Sequence, residues 1–197
     1  MKRKSIITGG SHGIGQAIAV KFAQQGHDVA ICSRDVQKLQ NTSNLINKYN
    51  VECIAEVCDV MSFDQMYNFI DIVISKWGSV DILVNNVGGG GRWGGSNIED
   101  TQIEVWSEVF HKNVMTSVFF MKYLLPYMKK QNWGRVISIC SIFGFVPGGK
   151  PWFDIAKCAE IELMRNFSIQ KEYVSNGITF NAVCPGDIII KDTGWDL

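Results

Sequence analysis

Six short apolar runs, each followed by a stretch of helical period, constrain this chain more than any other feature. They fall at 5–7, 29–32, 51–57, 81–84, 135–139 and 178–183. Most are continuously apolar rather than alternating, as strands are when helices cover both faces of their sheet. Parallel neighbours need crossover connections, and those are right-handed. The pattern predicts an α/β fold, a three-layer doubly wound parallel sheet. Helices are expected at 13–25, with Ile14, Ala17, Ile18 and Phe22 on the core face, and at 35–49, capped by Asp35. Three more are expected at 62–77, about 101–130 and 152–173. There is no linker, low-complexity tract or repeat. At roughly 150 residues per domain, the 197 residues read as one domain.

Composition narrows the function. Hydrophobic residues make up 46% and charged residues 19%, which excludes wholesale disorder. Basic and acidic residues balance at 19 each, so no global field exists to hold nucleic acid or an anionic membrane. The start, Met1-Lys2-Arg3-Lys4, opens like a signal peptide, but its apolar run ends at Ile7. The stretch 114–128 is interrupted by Lys122 and Pro126 and is too short to cross a bilayer. Six cysteines are scattered without a CxxC or a histidine at metal spacing. They read as free, mostly buried thiols of a reducing cytoplasm, and no metal site is expected.

The run Thr8-Gly9-Gly10-Ser11-His12-Gly13-Ile14-Gly15 joins the first strand to the first helix. Glycines there allow a tight turn and close backbone approach to a pyrophosphate, and the helix N-terminus offers N–H groups to the anion. In this strand–turn–helix position the run predicts dinucleotide binding.

Together with Asn85-Asn86-Val87-Gly88, Lys112-Asn113 and Pro185-Gly186, this run resembles the short-chain dehydrogenases/reductases. The likeness spans nearly the whole chain, with the motifs in order. It implies a Rossmann-type fold, a nicotinamide cofactor, a small-molecule substrate and a homodimer or homotetramer built on the two longest helices. It assigns Asp59 and Val60 to the adenine, Asn86 to the adenosine side, and the glycine-loop residues with Gly88, Pro185, Gly186 and Ile188 to cofactor binding. Charge argues for NADP(H), with NAD(H) remaining open. An acid closing the second strand would bind the ribose 2′-OH of NAD, and Ser33 stands there instead. Arg34 next to it has the planar fork that pairs with a phosphate, and His12 adds a weaker donor. Asp35 is read as a helix cap whose carboxylate faces away.

At the chemical end the resemblance implies a serine that polarises a carbonyl, a tyrosine that handles the proton, a lysine one turn later, and an asparagine that anchors a water. Ser141, Lys157 and Asn113 match three of these. The fourth position is Phe153, and no tyrosine occurs between Tyr127 and Tyr173. Losing a positioned general acid typically costs about 10²–10⁴ in rate. Asp154, Lys150, His111 and Lys157 acting through a water are the remaining proton donors to weigh. The loop 88–95 carries Arg92 and Trp93, either a clamp for an anionic or sugar substrate or a mobile loop with Trp93 tucked against Trp152. Family members continue beyond Pro185-Gly186 into a substrate-covering segment and a seventh strand, which the expectation for this chain omits. A threonine that often follows that dipeptide is Ile190 here, with Thr193 displaced. The sequence therefore supports an oxidoreductase with an altered proton relay, or a cofactor-binding sensor or scaffold with little turnover. A nucleic-acid reading has no basic, aromatic-interleaved patch behind it.

Overall fold

The computed structural model describes residues 2–190. Six strands form one parallel sheet: β1 (Lys4–Thr8), β2 (Asp28–Ser33), β3 (Cys53–Val57), β4 (Ile82–Asn85), β5 (Gly134–Ile139) and β6 (Ile178–Val183). Their order is β3-β2-β1-β4-β5-β6, so the chain reverses direction across the sheet between β1 and β4. Crossover helices cover both faces. α1 (Gly13–Gln24) and α2 (Val36–Ile46) lie on one, and α3 (Phe63–Trp77), α5 (Thr116–Lys130) and α6 (Pro151–Ser168) on the other. Ile6 and Ile7 are both fully buried, in different clusters, because successive strand side chains point to opposite faces. That is why the strands read as unbroken apolar runs.

Several predicted elements need correction. The run at 51–57 starts pairing only at Cys53, and α2 ends at Ile46 rather than 49. Asp35 does cap it, accepting from the Lys38 N–H at 2.9 Å. In α1 the deeply buried side is Gly15, Ala19 and Ala23, while Ile14, Ile18 and Phe22 flank it, half-buried against the same cluster. Ala17 is exposed. Small residues on that stripe let the helix lie close to the sheet. The stripe 66, 69, 70, 73 and 77 of α3 is buried as its spacing predicts.

The expected long helix is broken into three. α4 (Ile103–Phe110) leads through one π-helical turn, His111–Met115, into α5. The wider turn carries Asn113 and is invisible to a 3.6-residue period; such turns often mark functional sites. The expected helix 152–173 likewise stops at Ser168, with a short α7 (Lys171–Val174) following. Phe167, Tyr173 and Phe180 pack their rings together across that break.

Candidate active site

The carboxyl ends of the central strands open onto a cavity of about 670 Å³ beside the direction reversal, where ligands bind in open α/β sheets. The glycine turn lines it with Gly9, Ser11, His12, Gly13, Ile14 and Gly15. Ser33 and Arg34 at the end of β2, and Asp59 and Val60 beyond β3, line the second side. Asn86, Gly88, Arg92 and Trp93 follow β4, and Phe153 and Lys157 close the third side from α6. Thus most of the residues singled out in the sequence converge on one crevice. Ser141, Asn113, Lys150, Pro185 and Gly186 stand outside its lining, Ile188 lines an adjoining cleft, and Thr193 lies outside the described residues.

Backbone shape builds the first turn. Gly9 has φ +64°, and a side chain on it would stand 2.9 Å from Val87 Cγ2. Thr8 and Asn86 hold this turn to β4. The Asn86 amide donates to Thr8 O at 2.9 Å and Gly9 O at 3.2 Å, while Thr8 Oγ1 accepts from the N–H groups of Asn86 and Val87. The Asn86 amide is therefore spent on the loop, a role its assignment to the adenosine side did not anticipate. His12, the N-cap of α1, makes no capping hydrogen bond, so no cap side chain closes the first-turn N–H groups.

At the β2 end, Ser11 Oγ donates to Ser33 Oγ at 2.7 Å. The Arg34 guanidinium is mostly exposed and lies 3.9 Å from Asp59 Oδ2, a loose pair in water. Burial holds the His12 imidazole below its ordinary range, and Lys38 adds to the effect. Lys112, which the sequence reading quoted only as part of a motif, also lines the crevice. Burial and then the Arg34 charge depress its ammonium, while Asp59 opposes them. Its Nζ lies 4.6 Å from the Trp93 ring centroid. Trp152 instead meets Trp106 edge-on and donates to Gly90 O at 3.2 Å, so it holds the glycine loop without stacking on Trp93.

At the chemical end Ser141 caps the short turn Ile142–Gly144, its Oγ accepting from the Phe143 N–H at 3.2 Å. An accepting hydroxyl keeps its own proton to donate. Lys157 Nζ is 5.7 Å from the Phe153 ring centroid, and the loop crosses that ring at Gly91. Asn113 is fully buried and does not present its amide to the crevice. It donates to Val109 O and Gly89 O, at 2.7 and 2.9 Å, and accepts from the Gly89 N–H. A side chain at Gly88 would come within 2.8 Å of both Asn113 Oδ1 and Lys157 Nζ, so glycine is needed where the loop passes between them.

Three alternative proton donors have other tasks. Asp154 accepts from the N–H groups of Gly148 and Gly149. Lys150 donates to Gly95 O at 2.6 Å. His111 packs its ring on Phe63. The sequence reading missed Glu160, which is fully buried and accepts from Lys157 Nζ at 2.6 Å. A carboxylate three residues after a lysine on a helix was the signal available.

Comparison with known proteins shows the family. Residues 3–193 match the short chain dehydrogenase family model, and the chain belongs to that family. An uncharacterized oxidoreductase of Staphylococcus epidermidis is 30% identical over 185 residues, 94% of this chain and 77% of that protein. The 2-(R)-hydroxypropyl-CoM dehydrogenase of Xanthobacter autotrophicus is 30% identical over 199 residues, covering 100% of this chain and 79% of that one. Among solved structures, L-sorbose reductase from Gluconobacter frateurii, complexed with NADPH and L-sorbose, has a TM-score of 0.88 at 28% identity. The match covers 99% of this chain and 77% of that one. An NAD+-bound xylitol dehydrogenase has a TM-score of 0.86 at 25% identity, covering 94% and 70%. No helix of the described residues is long and apolar enough to cross a membrane.

Proposed function

We propose that the chain is a nicotinamide-dependent oxidoreductase acting on a carbonyl or alcohol of a small molecule, with NADP(H) preferred and an altered proton supply. The observation that carries it is the single crevice lined both by the glycine turn before α1 and by Phe153 and Lys157. The residues fit a dinucleotide. The turn is too tight for a side chain at Gly9, and the N–H groups of α1 are left for an anion. Ser33, Arg34 and His12 would hold a 2′-phosphate, Val60 and Asp59 would border the adenine, and Lys157 would hold the nicotinamide ribose. The nicotinamide, when bound, supplies or takes the hydride.

Ser141 would donate a hydrogen bond from its hydroxyl to the substrate oxygen as charge develops there, keeping its proton. Phe153 keeps an aromatic wall at the place where the family's tyrosine would stand but has no proton to give. Lys157 is then the donor left, since of the four candidates it lines the crevice and Asp154, Lys150 and His111 do not. Arg92 and Trp93 would meet an anionic or sugar substrate. Two named relatives, L-sorbose reductase and xylitol dehydrogenase, support that substrate class.

Phe153 itself favours a second reading, a cofactor-binding sensor or scaffold with little turnover. The buried free thiols Cys32, Cys58 and Cys140 support a reducing cytoplasm. The exposed Phe63, Tyr67, Phe110 and Met115 support a homodimer or homotetramer. Following oxidation of NADPH and NADH with small ketones, aldehydes and keto-sugars tests the two readings. Carbonyl-dependent oxidation supports the enzyme, and tight cofactor binding without any turnover supports the sensor or scaffold.

A further inference from the structure

Lys157 and Glu160 stand one turn apart on α6, which puts them on the same stripe of the helix. Neither sees appreciable solvent: the lysine is 3% exposed and the glutamate 0%. Lys157 Nζ donates to Glu160 Oε2 at 2.6 Å and to Ile139 O at 3.2 Å. On the far side, the Ser117 hydroxyl lies 3.3 Å from Glu160 Oε1 and 3.0 Å from Asn113 O. Glu160 and Ser117 thus connect the lysine to the π-helical turn through protein atoms alone.

We propose that Glu160 is a positioning residue that sets the charge of this site: it ties down Lys157 and cancels the lysine's field at position 153. The proposal rests on the reading above, in which position 153 faces the reacting group. A lone ammonium within about 4–6 Å of an acid typically lowers its pKa by about 1–3 units. Here the ammonium is paired with a carboxylate, and whichever partner holds the proton, the pair sums to zero. Position 153 then meets a short dipole in place of a full charge. Such a site suits a ring that never ionises.

The surrounding groups do not restore the missing charge. Ser117 on α5 and Asn113 in the π-turn are uncharged side chains. Burial pushes the Cys140 and Cys184 thiols up, so both are neutral beside the pair. Burial also pushes the Glu160 carboxyl up, and Lys157 and Ser117 pull it back. Removing one member of a buried pair strands the other, so the two act as a unit.

The test is the titration of a phenol introduced by Phe153→Tyr, followed by phenolate absorbance against the wild-type background, with and without Glu160→Gln. Glutamine keeps the size and an acceptor for Nζ while removing the charge. Circular dichroism and cofactor fluorescence check that each variant keeps its fold and crevice. With Glu160 intact, the phenol should titrate at or above about 10. In the double variant its midpoint should fall by about one unit or more. Equal midpoints in the two variants would overturn the proposal. So would a midpoint near 8–9 (about 1–2 units down) in the single variant, a result that needs no change at Glu160. The titration requires no turnover, so absence of carbonyl reduction would sink the oxidoreductase reading and leave this result standing.

Discussion

Asn113 and Gly89 exchange two hydrogen bonds: the Asn113 amide donates to Gly89 O at 2.9 Å, and the Gly89 N–H donates to Asn113 Oδ1 at 3.1 Å. This clasp fastens the glycine loop after β4 to the π-helical turn between α4 and α5. Buried groups left without partners cost about 1–3 kcal/mol each. Asn113→Ala should therefore destabilise the chain by about 2–3 kcal/mol in urea unfolding. It should also weaken cofactor binding, because the loop borders the crevice. An unchanged unfolding midpoint would show that the clasp contributes nothing.

Cofactor preference is expected to rest on Arg34. No acid stands at Ser33 to repel a 2′-phosphate, and the Arg34–Asp59 pair at 3.9 Å is loose enough to be given up. NADPH should bind more tightly than NADH in fluorescence titration. Arg34→Ala should weaken NADPH about tenfold or more, the loss of one charge-assisted contact of about 1.5–3 kcal/mol, and barely change NADH. Equal affinities, or an Arg34→Ala protein with unaltered NADPH binding, would contradict this.

Stability should fall on mild acidification through the histidines. Burial lowers both His12 and His27 below their ordinary range, with Lys38 and Arg3 respectively adding to it. Above the unfolded-state value both states are neutral there, and the full contribution is present. As the pH drops through that value and on through the folded-state one, the unfolded chain binds protons first and stability is lost. A His12→Asn, His27→Asn double variant should lose less stability than the wild-type chain between about pH 7.5 and about pH 5.5. The raised Glu160 carboxyl titrates in both proteins, so the difference isolates the histidines. Parallel curves would contradict the assignment.

The sheet was legible in the sequence because its strands are buried on both faces, which leaves no alternation to misread. The glycine turn was legible because close backbone approach excludes side chains. Asn113 was found by resemblance, yet its amide bonds were not, since a π-helical turn adds a residue that no 3.6-residue period reveals. Ile14, Ile18 and Phe22 of α1 were legible and do pack on the core, but Ala17 is exposed and the buried centre at Gly15, Ala19 and Ala23 carries no strong hydrophobic signal. Glu160 escaped notice for a different reason. A charged residue on a helix reads as a solvated one until its partner, Lys157, is known to be buried.

Transfer of deuterium from NADPH doubly deuterated at C4 to a carbonyl reports the hydride step whichever face is used, and mass spectrometry detects it even where turnover is slow. The protein and its Phe153→Tyr variant would each be incubated with the same panel of small ketones, aldehydes and keto-sugars. Deuterium should appear on the alcohol carbon of at least one product, with a larger yield from the variant. Removal of a positioned proton donor costs about 10²–10⁴ in rate, which sets the size of the possible gain. No deuterium in any product from either protein, with the cofactor bound at saturation, would contradict the oxidoreductase reading.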